Sequence, residues 1–248
     1  MKQIQAIAMS LILGAAGPTG HAADKPTVLV TGANRGIGPE YARQLAEKGY
    51  RVIGTARDPA KAAELAAVAD RVEALDVSDA ASVEALARRL DGEPIDILVN
   101  NAGIFYRDDT SIDKVDFAQM EQTLAVNTLG PLRVIQALLP NLRKGQRKLI
   151  VNMSSQLGSI AGSTGTWYSY RTSKAALNQI TKTLSVELGK EGFVCIVVHP
   201  GWVRTDMGGA TATYSPEESV SGLVGLIEKL GPADNGHFYD FQGKTIPW

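Results

Sequence analysis

Tyr170 and Lys174 stand four residues apart in the stretch Tyr-Arg-Thr-Ser-Lys-Ala-Ala-Leu-Asn. On a helix that spacing puts them on one face, one turn from each other. An ammonium beside a phenol favours the phenolate and lowers the tyrosine pKa from about 10 towards neutral. The pair therefore reads as a general acid/base, with Lys174 priming Tyr170. Ser155 follows a short apolar run, Leu149–Val151, and could hydrogen-bond the same reacting oxygen. A four-apart Tyr and Lys also occurs on many solvated helix faces, so the reading depends on the elements around the pair.

Those elements alternate. Residues 27–33 read as a buried strand entering a glycine turn, with a helix from Pro39 to Lys48. Strands follow at Arg51–Ala56, Val72–Leu75 and Ile95–Val99, with a helix at Ala80–Leu90 between the last two. A long helix is expected over Phe117–Leu142, then strand Leu149–Val151, a helix starting at Tyr170, and a sixth strand at Cys195–Val198. Strand–helix alternation implies an α/β fold: a single Rossmann-type doubly wound parallel sheet with helices on both faces. With no linker or repeat, residues 24–248 read as one domain. Such sheets bind ligands at the carboxyl ends of their strands. The polar and glycine-rich clusters fall there, at 31–38, 76–77, 100–103, 152–158 and 199–206. Residues 204–222 read as a loop over the site.

The turn Thr31-Gly32-Ala33-Asn34-Arg35-Gly36-Ile37-Gly38 has glycines that let the backbone bend tightly ahead of a helix N-terminus, where a pyrophosphate would sit. Strand two ends in Ala56 and Arg57, where an acidic residue would accept from a ribose 2′-hydroxyl. Arg57 and Arg35 would instead pair with a 2′-phosphate, so the expected cofactor is NADP(H) rather than NAD(H).

Jointly these residues resemble the short-chain dehydrogenase/reductase family from about residue 27 to the C-terminus. The resemblance rests on Thr-Gly-x-x-x-Gly-x-Gly at 31–38, Asp76, Asn100-Asn101-Ala102-Gly103, Asn127, Ser155, Tyr-x-x-x-Lys at 170–174, and Pro200-Gly201. The segments Met-Ser-Ser-Gln-Leu-Gly-Ser-Ile and His-Pro-Gly-Trp-Val-Arg-Thr-Asp-Met-Gly-Gly, with the closing Thr-Ile-Pro-Trp, are similar to the sniffer-type carbonyl reductases. The resemblance implies that Tyr170 protonates a carbonyl oxygen, Ser155 stabilises it, Lys174 holds the nicotinamide ribose, and Asn127 maintains a helix irregularity. It implies Gly32, Asn34, Arg35, Gly36, Ile37, Gly38, Arg57, Asp76, Val77, Asn101, Ala102 and Gly103 as cofactor contacts, together with Tyr170, Lys174, Pro200, Gly201, Val203 and Thr205. It also implies a small-molecule carbonyl substrate, an aldehyde or ketone, and a homo-oligomer, dimer or tetramer. The competing class is a non-catalytic NADP(H)-binding redox sensor or signalling protein, which has no need of Asn127, Ser155, Tyr170 and Lys174 together. Alcohol oxidation, the reverse direction, is set by cofactor ratios rather than by sequence.

Composition narrows the field further. The 248 residues carry 25 basic and 26 acidic side chains, with no basic tract suited to nucleic acid. The cluster Arg143, Lys144, Arg147 and Lys148 reads as a solvated connection. Three histidines have no metal-ligand spacing, and the single cysteine, Cys195, reads as a buried thiol that excludes an internal disulfide. Phe105, Tyr106, Trp167, Trp202 and Met207 are candidates for an apolar pocket. His199 reads as packed or bonded to backbone, and Asp108-Asp109 as solvated. Residues 1–23 pair an apolar core with small residues ending in Gly20-His21-Ala22-Ala23, the pattern of a secretory signal peptide, too short to span a membrane. Export is the expectation and a cytoplasmic enzyme the alternative, since an exported protein would have to meet NADPH outside the cytoplasm.

Overall fold

The computed structural model describes residues 25–248; the signal-like segment at 1–23 lies outside them. Seven parallel strands form one sheet in the order β3-β2-β1-β4-β5-β6-β7. They are β1 Thr27–Val30, β2 Arg51–Ala56, β3 Arg71–Ala74, β4 Ile97–Asn100, β5 Leu149–Met153, β6 Val194–His199 and β7 Phe238–Asp240. Every residue of β1, β4 and β5 is buried. A sheet covered on both faces needs such unbroken apolar runs.

The pleat then sorts side chains between two cores. Val28, Val30, Ile97 and Val99 face one, with Leu223 and Ile227 from helix α7 at Pro216–Lys229 and Tyr41 and Leu45 from α1 at Gly38–Glu47. Leu29, Leu98 and Ile150 face the other, against Leu86 of α3 (Ala80–Arg89) and Leu138 of α5 (Gly130–Lys144). One residue of register slip would exchange the two sets. The short helix α2 (Ala63–Ala66) covers the β2–β3 end through buried Leu65. Below the sheet, Asp96 accepts from the amides of Thr27 and Gln146 through its two oxygens. That ties the entries of β1 and β5 together.

Three features differ from the sequence reading. The long helix expected over 117–142 is α4 (Phe117–Leu124), a π-type turn at Ala125–Leu129, and then α5; the turn contains Asn127, where the family resemblance implied a helix irregularity. The break has two causes. Pro131 has no N–H to offer the Asn127 carbonyl, and the Asn127 side chain is pulled outward onto Ile104. Second, the stretch 204–222 is a loop only as far as Ser215. Ser215 and Glu218 form a reciprocal capping box that starts α7, a sequence signal that the serine- and threonine-rich composition hid. Third, Asp109 is 2% exposed rather than solvated.

Of the basic cluster, Arg143 pairs with exposed Glu191, while Arg147 bonds to Tyr50 Oη and the Ile227 carbonyl. Cys195 is fully buried, and burial pushes its thiol up to about 12, so it is inert. Among the described residues no helix is long and apolar enough to cross a membrane, and no His/Cys/Asp/Glu group could hold a metal ion.

Candidate active site

The chain runs from β1 outward through β2 to β3, then returns to start β4 on the other side of β1. That reversal leaves a crevice above the carboxyl ends of β1 and β4. The glycine turn lies at its base. Gly32 and Gly36 have φ of +60° and +63°, values that disfavour any side chain, and beyond Gly36 there is open space where a Cβ would stand. Gly38 differs: a Cβ there would meet Ala33 Cα and the Gly32 carbonyl at 2.6 Å. It is the glycine that lets α1 close against its own turn.

The turn is held from β4. Thr31 Oγ1 accepts from the amides of Asn101 and Ala102, and Asn101 Nδ2 donates to the carbonyls of Thr31 and Gly32. From β2, Thr55 Oγ1 accepts from the Gly32 amide. Asn101 thus buttresses the turn as well as lining the crevice. Thr31 and Thr55 were missed as supports because only β-pairing brings them there. Asp76 is fixed at the end of β3 by bonds from the Ser78 amide and hydroxyl.

From this base a cleft of about 860 Å³ extends over the sheet. It is lined by every predicted site residue except Gly38, which packs behind it, and Asn127, which is fully buried. Arg35 and Arg57 stand exposed at its rim, and neither makes an ion pair among the described residues. Backbone amides at a helix start, with two uncommitted guanidiniums, fit a phosphorylated dinucleotide.

At the other end of the cleft stands α6, Tyr168–Leu188. Tyr170 and Lys174 are 8% and 3% exposed. Lys174 Nζ donates to the Met153 carbonyl at 2.7 Å and lies 5.5 Å from the Tyr170 ring centre. Burial pulls the ammonium down to about 7. The Tyr170 phenol is pushed up to about 12 by burial, which the Ser155 hydroxyl partly offsets. The expectation that Lys174 depresses the phenol is therefore not met here. Burial and the Ser155 hydroxyl account for the Tyr170 shift, with no contribution from Lys174, whose Nζ is committed to the Met153 carbonyl.

Ser154 and Ser155 both line the cleft, but their hydroxyls are engaged differently. Ser154 Oγ donates to Asn178 Oδ1 at 2.6 Å, while Ser155 Oγ accepts only from the Leu157 amide, at 3.2 Å. Behind the pair, Asn127 Oδ1 accepts from the Ile104 amide, and its Nδ2 donates to the Ile104 carbonyl and to Ser173 Oγ. The π turn thereby docks on the loop after β4 and on α6 at once.

The sequence pattern of the short chain dehydrogenases matches residues 26–214. The chain belongs to the short-chain dehydrogenase family. It is an oxidoreductase of that family with carbonyl reductase neighbours. It is 46% identical over 156 residues, 62% of this chain and 93% of the relative, to the C-signal protein of Myxococcus xanthus. Among solved structures it is similar to the NADPH-bound carbonyl reductase from chicken fatty liver, with TM-score 0.84 and 36% identity over 90% of this chain and 99% of that one. It is likewise similar to the carbonyl reductase Sniffer of D. melanogaster, with TM-score 0.86 and 35% identity over 90% of this chain and all of that one.

In this short-chain dehydrogenase the walls of the cleft come from three loops. Of the five aromatic and methionine side chains that the sequence left open between pocket and core, Phe105, Trp167, Trp202 and Met207 line it and Tyr106 does not. Arg107 spans the mouth, donating to the Met207 carbonyl at 2.5 Å with its guanidinium 5.4 Å from the Phe105 ring centre. Arg171 also lines the cleft, bonded to Thr164 Oγ1. Neither arginine was singled out in the sequence, where single basic residues in loops carry no signal. His199 lines the cleft too, and its Nδ1 is buried without the expected partner. Burial holds that imidazole down at about 4, so it is neutral at physiological pH.

Proposed function

We propose that this enzyme reduces an aldehyde or ketone to an alcohol with NADPH. The observation that carries the reading is the convergence of the Tyr170 phenol and the free side of the Ser155 hydroxyl on one cleft with the glycine turn. A protonated phenol is what a proton donor requires, and the raised Tyr170 value keeps it protonated across the physiological range. Tyr170 Oη gives its proton to the carbonyl oxygen as negative charge builds there, and the Ser155 hydroxyl donates to the same oxygen. When bound, a reduced nicotinamide supplies the hydride that the carbonyl carbon receives.

The residues that would hold that group are at hand. The amides of the 32–38 turn suit the pyrophosphate, Arg35 and Arg57 the 2′-phosphate, and Asp76 and Val77 the adenine. Lys174, Pro200, Gly201, Val203 and Thr205 suit the nicotinamide and its ribose. NADPH bound to the chicken reductase supports the choice of cofactor. Phe105, Trp167, Trp202 and Met207 exclude water from the reacting oxygen and favour an apolar substrate body.

Following NADPH oxidation across aldehydes, ketones, quinones and dicarbonyls tests the reading, with Tyr170→Phe as the control. Equal turnover by that variant would overturn the assignment of the proton donor. The likeness to C-signal favours one alternative, an NADP(H)-binding signalling protein without turnover. Tight NADPH binding with no oxidation of it by any carbonyl tested would support that alternative.

A further inference from the structure

The approach to α6 is backbone of an unusual kind. Gly165, Thr166 and Trp167 have φ of +84°, +63° and +52°, three successive residues in the left-handed region. Glycine adopts it freely, but a β-branched threonine and a tryptophan do not. Such a turn persists only where its surroundings hold it. It leads straight into the first turn of α6, whose third residue is Tyr170. Trp167 is the cap residue of that helix, and its own side chain caps nothing.

The hold comes from Asp109, far away in sequence. Its carbonyl accepts from the Trp167 amide at 2.9 Å, and its Oδ2 accepts from the Ser169 amide at 2.6 Å. One residue thus fixes the amides on either side of the helix start and places an acidic group at its positive end. Asp109 and Ser169 are each 2% exposed, and Asp109 Oδ1 and Ser169 Oγ have no partner. The same loop reaches Tyr170 through Phe105, whose ring centre is 4.5 Å from the phenol ring and 5.7 Å from the Trp167 indole.

We propose that Asp109 is a positioning residue: it clamps the left-handed turn 165–167 and thereby sets where Tyr170 stands in the cleft. The proposal rests on Tyr170 as proton donor. Removing the carboxylate breaks the Ser169 half of the clamp and leaves only the main-chain carbonyl on Trp167, so the turn loosens and the first turn of α6 shifts while the glycine turn across the cleft is untouched. A shift of about 1 Å at a reacting group costs up to about 100-fold in rate.

The test is the full-length enzyme with Asp109→Ala, Asp109→Asn, and Asp109→Ala combined with Thr166→Gly. Asp109→Ala should lower kcat for carbonyl reduction about 10- to 100-fold and leave NADPH affinity, read by its fluorescence, within about twofold. Asp109→Asn keeps an acceptor for the Ser169 amide and should restore most of kcat. Thr166→Gly, which removes the side chain opposed to the left-handed backbone, should recover part of it in the alanine background. Hydrogen exchange supplies a readout independent of turnover: residues 162–172 should lose protection in Asp109→Ala while peptides from β4 and β5 keep theirs. Unchanged protection at 162–172, kcat within twofold of wild type, or parallel losses of kcat and NADPH affinity would each overturn the clamp. If the wild-type chain reduces no carbonyl, the activity reading fails, and exchange alone decides for or against the clamp.

Discussion

The two ends of the cleft are built by different means. At the glycine turn the geometry is made by backbone: two glycines at positive φ, a third packed at 2.6 Å, and threonine hydroxyls bonded to amides. At the Tyr170 end it is made by side chains from three loops, with non-glycine residues forced into left-handed backbone and polar atoms left unpartnered. The first end offers amides and guanidiniums that fit a phosphorylated dinucleotide. The second is held by contacts from elsewhere in the chain.

The largest effect that could sharpen this contrast is at the phenol. Tyr170→Phe should lower kcat by about 10²- to 10⁴-fold, the range for losing a general acid, and leave NADPH affinity within about twofold. Steady-state kinetics alongside fluorescence titration separates the two. Next comes the opposite end: Gly38→Ala forces a Cβ onto Ala33 and the Gly32 carbonyl. It should cost roughly 1–3 kcal/mol of stability in denaturant unfolding and weaken NADPH binding. A variant with native stability and affinity would show the turn to be more pliable than its backbone suggests. Third, Arg35→Ala with Arg57→Ala should weaken NADPH about 10- to 100-fold, from the loss of charge-assisted bonds, and leave NADH affinity nearly unchanged. Equal losses for both nucleotides would mean that the two guanidiniums do not read the 2′-phosphate.

The smallest effect concerns Lys174 and pH. Its ammonium is depressed to about 7 by burial, so the folded chain releases that proton earlier than the unfolded one. The unfolded state binds more protons between about pH 7 and 10, and stability from this group rises with pH across that window. Lys174→Met abolishes the penalty. The variant should melt above the wild type at pH 6, and the gap should narrow by pH 9. A gap independent of pH would show that Lys174 is not desolvated in solution.

Much of the first end was legible in the sequence, because a glycine turn between a strand and a helix spells out its own backbone. β2 was read with its observed bounds, and the other anticipated strands lie within about three residues of theirs, since buried parallel strands are unbroken apolar runs. The Tyr170, Lys174 and Ser155 set was legible as residue types, but its electrostatics were not. Proximity on a helix face suggested that the lysine governs the phenol, whereas burial of the phenol raises it and the Ser155 hydroxyl partly offsets that. Asp109 was misread for a related reason. A pair of adjacent aspartates looks solvated until the fold places one of them 60 residues along the chain from its partner amide. The π turn was invisible to periodicity, and only the family resemblance pointed to an irregularity at Asn127. β7 was not anticipated, being only three residues long.

Cys195, sealed within β6, gives the chain a practical property. A thiol introduced at exposed Met207 would be the only one open to a spin label or fluorophore. A label at Met207 would report on the cleft mouth of otherwise native protein, with no exposed background cysteine among the described residues.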